Sequence, residues 1–163
     1  MDDLIQSFKA TMARYPAGVV VVTTTDEEGR AYGFTATSFS SLSLKPPSII
    51  VCLANTAYCY NAFVNSRHFA VHFIDAEDSA LAMGFASKGI DKFSGVKVDL
   101  SAEGVPLLKD SVAVLECGAG GHFVSGDHAI LIGNVLRTKV SDDRDVLVHY
   151  RRQFGKVSMP AAI

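Results

Sequence analysis

The sequence predicts a mainly β fold, a mostly antiparallel β-barrel with a few helices, in a single domain covering residues 1–163. Three observations carry this expectation. β-branched or alternating apolar runs recur along the chain, polar turn-forming clusters separate neighbouring runs, and no regular β-α-β alternation supports a doubly wound parallel sheet. With 163 residues, 48% hydrophobic and 20% charged, the chain has an ordinary globular balance and the size of one domain around one core. No internal repeat, low-complexity tract or long linker divides it.

Residues 3–15 place Leu4, Ile5, Phe8 and Met12 on one stripe of an amphipathic helix that Pro16 and Gly18 stop. Residues 18–25 are rich in β-branched side chains and lead through the polar cluster 26–30 into an extended segment, 31–37, which together read as a β-hairpin. After Pro46 and Pro47, the apolar run 48–54 is short enough for a strand buried on both faces. Tyr58, Ala62 and Phe63 suit a short helix within 57–66, and residues 68–74 form another strand. Asp75, with Asp78 three residues on, is the expected N-cap of a helix carrying Leu81, Ala82 and Phe85, ending near Lys88 and Gly89. Residues 94–110 read as turns. Residues 111–117 and 129–140 form a second hairpin whose tip holds Ser125, Gly126, Asp127 and His128.

Fifteen basic against seventeen acidic residues give a formal net charge of −2, which lacks the basic footprint that a nucleic-acid partner demands. No run approaches the roughly 20 apolar residues of a membrane helix, and the N-terminal segment has aspartates where a signal peptide needs positive charge. A cytoplasmic protein is expected. Cys52, Cys59 and Cys117 are odd in number, lack C-x-x-C spacing and sit among apolar residues, so reduced thiols are expected. His68 and His72 would stand about 13 Å apart on an extended strand without carboxylate or thiolate companions at ligand spacing, so no metal site is expected. No G-x-G-x-x-G follows a strand, which removes the usual argument for a Rossmann site.

Two stretches could carry chemistry. Residues 33–43 gather Thr35, Thr37, Ser38, Ser40, Ser41 and Ser43 around two phenylalanines, and hydroxyls with free backbone N–H groups are what an uncharged loop offers a phosphate or a heteroaromatic edge. Such serines are equally at home in ordinary turns. His128 follows Gly126 and Asp127 at a hairpin tip, where loops carry function on a rigid scaffold. Near the C-terminus, Tyr150, Arg151, Arg152 and Phe154 could fork onto a pyrophosphate and stack on a base, or simply end a solvated surface strand.

In order and spacing, Tyr15–Thr23, Gly33–Phe39, Pro46–Pro47 with its following strand, Phe69–Val71, Lys92–Phe93 and Gly126–His128 resemble the flavin reductase-like family. More narrowly, they are similar to short reductase components of two-component flavin-dependent monooxygenases, over roughly residues 5–155. The resemblance implies a six-stranded antiparallel split barrel of the FMN-binding type, a homodimer with flavin near the subunit interface, and transfer of hydride from NADH to FMN. FAD and NADPH remain open as alternatives. Reduced flavin would pass to a separate monooxygenase.

Carried over position by position, Thr35, Ala36, Thr37, Ser38, Ser40 and Ser41 would contact the ring and ribityl chain. Cys52, Leu53, Ala54, Asn55 and Thr56 would complete the flavin pocket together with Ala86, Ser87, Lys88, Lys92 and Phe93, a lysine being suited to the phosphate. Gly126, Asp127 and His128 would hold the nicotinamide nucleotide, the His128 imidazole keeping it against the flavin. Tyr150, Arg152 and Phe154 would lie near either nucleotide. One departure is that Ala57 and Cys59 follow Thr56 where many relatives carry further hydroxyls for phosphate. Two rivals are a pyridoxamine-phosphate-oxidase-like oxidase on the same architecture, which needs a basic cluster beyond Arg151 and Arg152, and a flavin-binding sensor without turnover.

Overall fold

Valine and threonine fill Val20–Thr25, and Asp26 closes the turn that follows by accepting from the backbone N–H groups of Glu28 and Arg30, so the first hairpin is dictated locally. The computed structural model describes residues 1–88, 91–141 and 144–158. In chain order the elements are α1 (Asp2–Met12), β1 (Ala17–Gly18), β2 (Val20–Thr25), β3 (Ala31–Ala36), β4 (Phe39–Leu44), β5 (Pro47–Ala54), α2 (Tyr60–Asn65), β6 (His68–Phe73) and α3 (Ser79–Ala86). Then follow β7 (Val98–Leu100), β8 (Pro106–Leu108), β9 (Ala113–Ser125), β10 (His128–Val140), β11 (Leu147–Tyr150) and β12 (Gln153–Lys156).

Seven strands make one antiparallel sheet in the order β3-β2-β6-β9-β10-β5-β4. A three-stranded sheet, β1-β11-β12, and the β7-β8 hairpin stand beside it. Alternation along β2 sends Val20 and Val22 to one side and Val21 to the other. On the first side Val22, Phe34, Val51, Phe69, Cys117 and Leu131, one residue from each of six strands, share a single core. The second core packs Val19, Val21 and Ile74 against Ala82 and Phe85 of α3, Leu108 of β8 and Leu147 of β11.

Several expectations change. Strand β5 alternates buried with half-buried residues, so it is not buried on both faces as a central parallel strand would be. Asp78, not Asp75, caps α3 by accepting from the Leu81 N–H at 3.0 Å, while Asp75 bonds the Glu77 N–H in the preceding turn. The helix ends at Ala86, and Gly89 lies outside the described residues. Tyr58 precedes α2 and is exposed instead of packing as part of it. The turn-rich stretch contains β7 and β8, too short for a periodic pattern to declare. Helix α1 buries none of its residues, Leu4 and Phe8 remaining 74% and 63% exposed, because no element among the described residues folds over its apolar stripe. Cys59 and Cys117 are buried, Cys52 is half-buried, and all three are free thiols.

Candidate active site

The C-terminal end of β5 organises the candidate residues. The β4 ladder ends where Phe39 faces Val51. One step on, the Cys52 N–H donates to the Ser38 carbonyl at 3.1 Å and the Ser38 hydroxyl returns a bond to the Cys52 carbonyl at 3.3 Å. Six residues before Ser38 and six after Cys52, the rings of Tyr32 in β3 and Tyr58 lie 5.9 Å apart, tilted by 37°. Between these two fastenings β3 and β5 run past one another without pairing, since among the described residues the strand ladder of β3 is with β2 alone. The result is a seam flanked by Ala36 and Thr37 on one side and Leu53–Thr56 on the other.

The β9–β10 tip sits on the opposite edge of the same segment. His128 faces Ala54 in the β10–β5 ladder. The Asn55 N–H donates to the Asp127 carbonyl at 2.9 Å, and the Asn55 side-chain amide donates to the Gly126 carbonyl at 3.2 Å. Gly126, at φ +60°, occupies the first central position of a two-residue turn joining Ser125 to His128, where a II′ turn requires glycine. His128 Nδ1 lies 2.7 Å from an Asp127 carboxylate oxygen. That bond, and the charge attraction with it, lowers the Asp127 pKa. A carboxylate at Nδ1 favours the tautomer with the proton there, which leaves Nε2 as the free ring nitrogen.

The other predicted residues divide. The Thr35 hydroxyl donates to the Ala82 carbonyl at 2.6 Å and ties β3 to α3. Lys92 is half-buried, its ammonium donating to the carbonyls of Phe85 (2.7 Å) and Gly33 (3.1 Å), and desolvation lowers its pKa. Its charge fastens α3 to β3. Phe93 packs edge-on against Phe85 at 5.1 Å. Ser87 closes the end of α3 with a bond to Met83, beside exposed Ala86 and Lys88. Ala36 and Leu53 turn their side chains into the core and offer only backbone. Thr37, Ser40, Ser41 and Thr56 are exposed. Tyr150, Arg152 and Phe154 are in the separate β11–β12 hairpin, held to β1 and to the Ala13 carbonyl through the Arg151 N–H. They share no hydrogen bond or ring contact with the seam among the described residues. Sequence reasoning missed Tyr32 and Tyr58, because a contact between separate segments leaves no local pattern.

A surface cavity of about 240 Å³ lies elsewhere, lined by Asp78, Leu81, Lys97, Lys109 and their neighbours, and contains none of the predicted residues. Among the described residues no cluster of His, Cys, Asp or Glu could hold a metal ion, and no helix is long and apolar enough to cross a membrane.

Residues 12–158 match the model of the family described as flavin reductase like domain. This chain belongs to the flavin reductase-like family. It is 41% identical over 92% of its length to the actinorhodin polyketide dimerase of Streptomyces coelicolor, covering 85% of that protein. It is 36% identical over 91% of its length to the NADH:riboflavin 5'-phosphate oxidoreductase of Streptomyces pristinaespiralis, covering 86% of it. The reductase subunit of a flavin-dependent monooxygenase of Rhodococcus jostii is 31% identical over 90% of this chain and 75% of its own. Among solved structures, an NADH:FAD oxidoreductase of Streptomyces globisporus, in complex with NAD and FAD fragments, superposes with a TM-score of 0.91 at 30% identity, over 99% of this chain and 96% of that one.

For a flavin reductase-like chain, the group to test against the site is flavin. Asn55 Oδ1 is buried without a hydrogen-bond partner, an unspent acceptor that an isoalloxazine N–H or a ribityl hydroxyl would satisfy. Thr37 and Thr56 expose hydroxyls on the two flanks of the seam, and Ser40 and Ser41 expose theirs farther back on β4, opposite Ile50 and Ile49. These residues fit the polar edge of a flavin. The phosphate is served less well, because the Lys92 ammonium already bonds two carbonyls.

Proposed function

We propose that this chain is an NADH:flavin oxidoreductase that reduces FMN, with FAD as the alternative acceptor and NADPH as the alternative donor, and supplies reduced flavin to a separate flavin-dependent monooxygenase. The observation that carries the reading is the meeting, along Cys52–Thr56, of an unpaired polar seam on one edge and the Asp127–His128 pair on the other. In this reading Thr37, Ser38, Ser40, Ser41, Cys52, Ala54, Asn55 and Thr56 hold the flavin, with backbone from Thr35, Ala36 and Leu53. Ala86, Ser87, Lys88, Lys92 and Phe93 border its far end. Gly126, Asp127 and His128 receive the nicotinamide, while Tyr150, Arg152 and Phe154 serve the nucleotide from the second sheet. The whole chain acts as one domain in the cytoplasm, where its nucleotide donor is found.

Bound flavin supplies the acceptor for a hydride. The protein's part is placement: Asp127 keeps the proton on His128 Nδ1, His128 Nε2 faces the nucleotide, and the seam orients the ring. Alignment of this kind is worth up to roughly 7–11 kcal/mol of barrier in well-oriented systems. Closure of the sheet across the seam into a six-stranded split barrel belongs to the same reading, supported by the one core that six strands share. So does a homodimer covering the site, supported by the bare stripe of α1 and by β9 beyond Gly118, where its ladder with β6 ends.

A pyridoxamine-phosphate-oxidase-like activity is disfavoured, since the paired arginines stand at the tip of the β11–β12 hairpin and Lys92 is committed to backbone. The deciding experiment follows nicotinamide absorbance with purified protein, NADH or NADPH, and FMN, FAD, riboflavin or no flavin. Oxidation that depends on added flavin supports the proposal. Flavin binding without oxidation of either nucleotide would favour a sensor or oxidase.

A further inference from the structure

Asn55 stands between the two halves of the site, makes two hydrogen bonds toward one of them and keeps a third polar atom uncommitted. Its backbone N–H and its side-chain amide both donate into the Gly126–Asp127 turn, and its Oδ1 is left buried and unpartnered. The Gly126 carbonyl belongs to the central peptide of that turn. A flip of this peptide would convert a II′ turn into a I′ turn, which requires positive φ at both central residues. Only Gly126 has positive φ here, and Asp127, a residue with a Cβ, does not. The Asn55 amide therefore holds the peptide in the orientation that keeps Asp127 at negative φ, where its carboxylate reaches His128 Nδ1.

We propose that Asn55 is a positioning residue that acts through the Gly126–Asp127 turn to fix the Asp127–His128 pair beside the seam. The inference rests on reading the chain as a flavin reductase only for its kinetic consequence. The donor NH₂ carries the effect, so Asn55→Asp, which keeps an acceptor but turns a carboxylate oxygen toward the Gly126 carbonyl, is at least as damaging as Asn55→Ala.

The test compares both variants with His128→Ala and with the double variant Asn55→Ala/His128→Ala. In steady-state kinetics at saturating flavin, which offsets the loss of the Oδ1 acceptor, Asn55→Ala raises the NADH KM about fivefold and adds nothing further to that KM in the His128→Ala background. An unchanged NADH KM at saturating flavin, a mild Asn55→Asp, or additive effects on that KM in the double variant would overturn it. Independently of turnover, imidazole nitrogen shifts of flavin-free protein should show one His128 tautomer in the native chain and a mixture in Asn55→Ala. An unchanged tautomer overturns the proposal. If Asn55→Ala does not fold, the scalar coupling across the bond from Asn55 Nδ2 to the Gly126 carbonyl decides on the native protein, its absence being the negative result. A native chain that fails to oxidise NADH defeats the functional reading alone, because tautomer and coupling need neither substrate.

Discussion

The Lys92 ammonium lies 2.7 Å from the carbonyl oxygen of Phe85, in the last turn of α3, and 3.1 Å from that of Gly33 in β3. A cation at a helix C-terminus complements the unpaired carbonyls there, and the second bond makes it a bridge from helix to sheet. Lys92→Met keeps the stem but strands two carbonyls. The expected cost is about 1–3 kcal/mol of stability, read as a lower urea midpoint, with the ratio of FMN to riboflavin affinity unchanged. A selective loss of FMN affinity would show instead that the lysine reaches the phosphate.

Gly133 marks a place where the sheet leaves no room. A Cβ there would stand 2.7 Å from the Phe69 ring and 3.0 Å from both Cys117 and Ile49, in a part of β10 where the register with β9 already slips between Leu131 and Gly133. Gly133→Ala should cost about 1–3 kcal/mol through overpacking, lowering Tm by roughly 3–10 °C. Phe69→Leu in the same chain should recover part of that loss. An unchanged Tm in the single variant would mean that the core relaxes freely.

Much of the fold was legible because its signals are local. The Thr- and Val-rich β2, the Asp26 turn and the Gly126–Asp127 turn each follow from a few adjacent residues, and the second hairpin has its tip where glycine and aspartate interrupt two apolar runs. Strands β7 and β8, three residues each, carry no period to detect. Asp75 and Asp78 are both chemically competent caps, and only the path of the chain decides between them. For the site, sequence supplied the residue types but not their uses. Nothing in Thr35 or Lys92 announces a carbonyl acceptor on a distant segment, and the Tyr32–Tyr58 fastening joins residues 26 positions apart.

His128→Ala removes the ring but leaves the turn, which backbone bonds and Asn55 hold. The side chain is about half exposed and its ion pair lies at the surface, so Tm should move by no more than about 2 °C. The NADH KM should rise and hydride transfer slow, while flavin affinity stays nearly constant. Asp127→Asn should reproduce part of the kinetic effect, since an amide at that position accepts the Nδ1–H without a charge. Stopped-flow reduction of flavin at saturating and limiting NADH separates binding from transfer. Equal losses in flavin and nucleotide affinity would refute the division between seam and tip.

His72 gives the fold a dependence on pH that lies away from the site. It is fully buried in β6, its Nδ1 3.0 Å from the Val21 carbonyl and its Nε2 without a partner. Burial pulls its pKa from an ordinary 6.5 down to about 4, the Val21 bond opposing the shift. The folded state thus refuses a proton that the unfolded chain accepts below 6.5. Stability from this residue is complete above pH 6.5 and falls as the pH drops toward 4, by about 2 kcal/mol at pH 5 and about 3 kcal/mol at the lower end. Chemical denaturation at pH 7, 6 and 5 should show that slope in the native chain. His72→Gln can keep a donor for Val21 but cannot titrate, so it should be less stable at pH 7 and lose the slope. Parallel decline in both chains would assign the acid sensitivity to carboxylates instead, such as Glu103, whose pKa the Arg137 bond lowers.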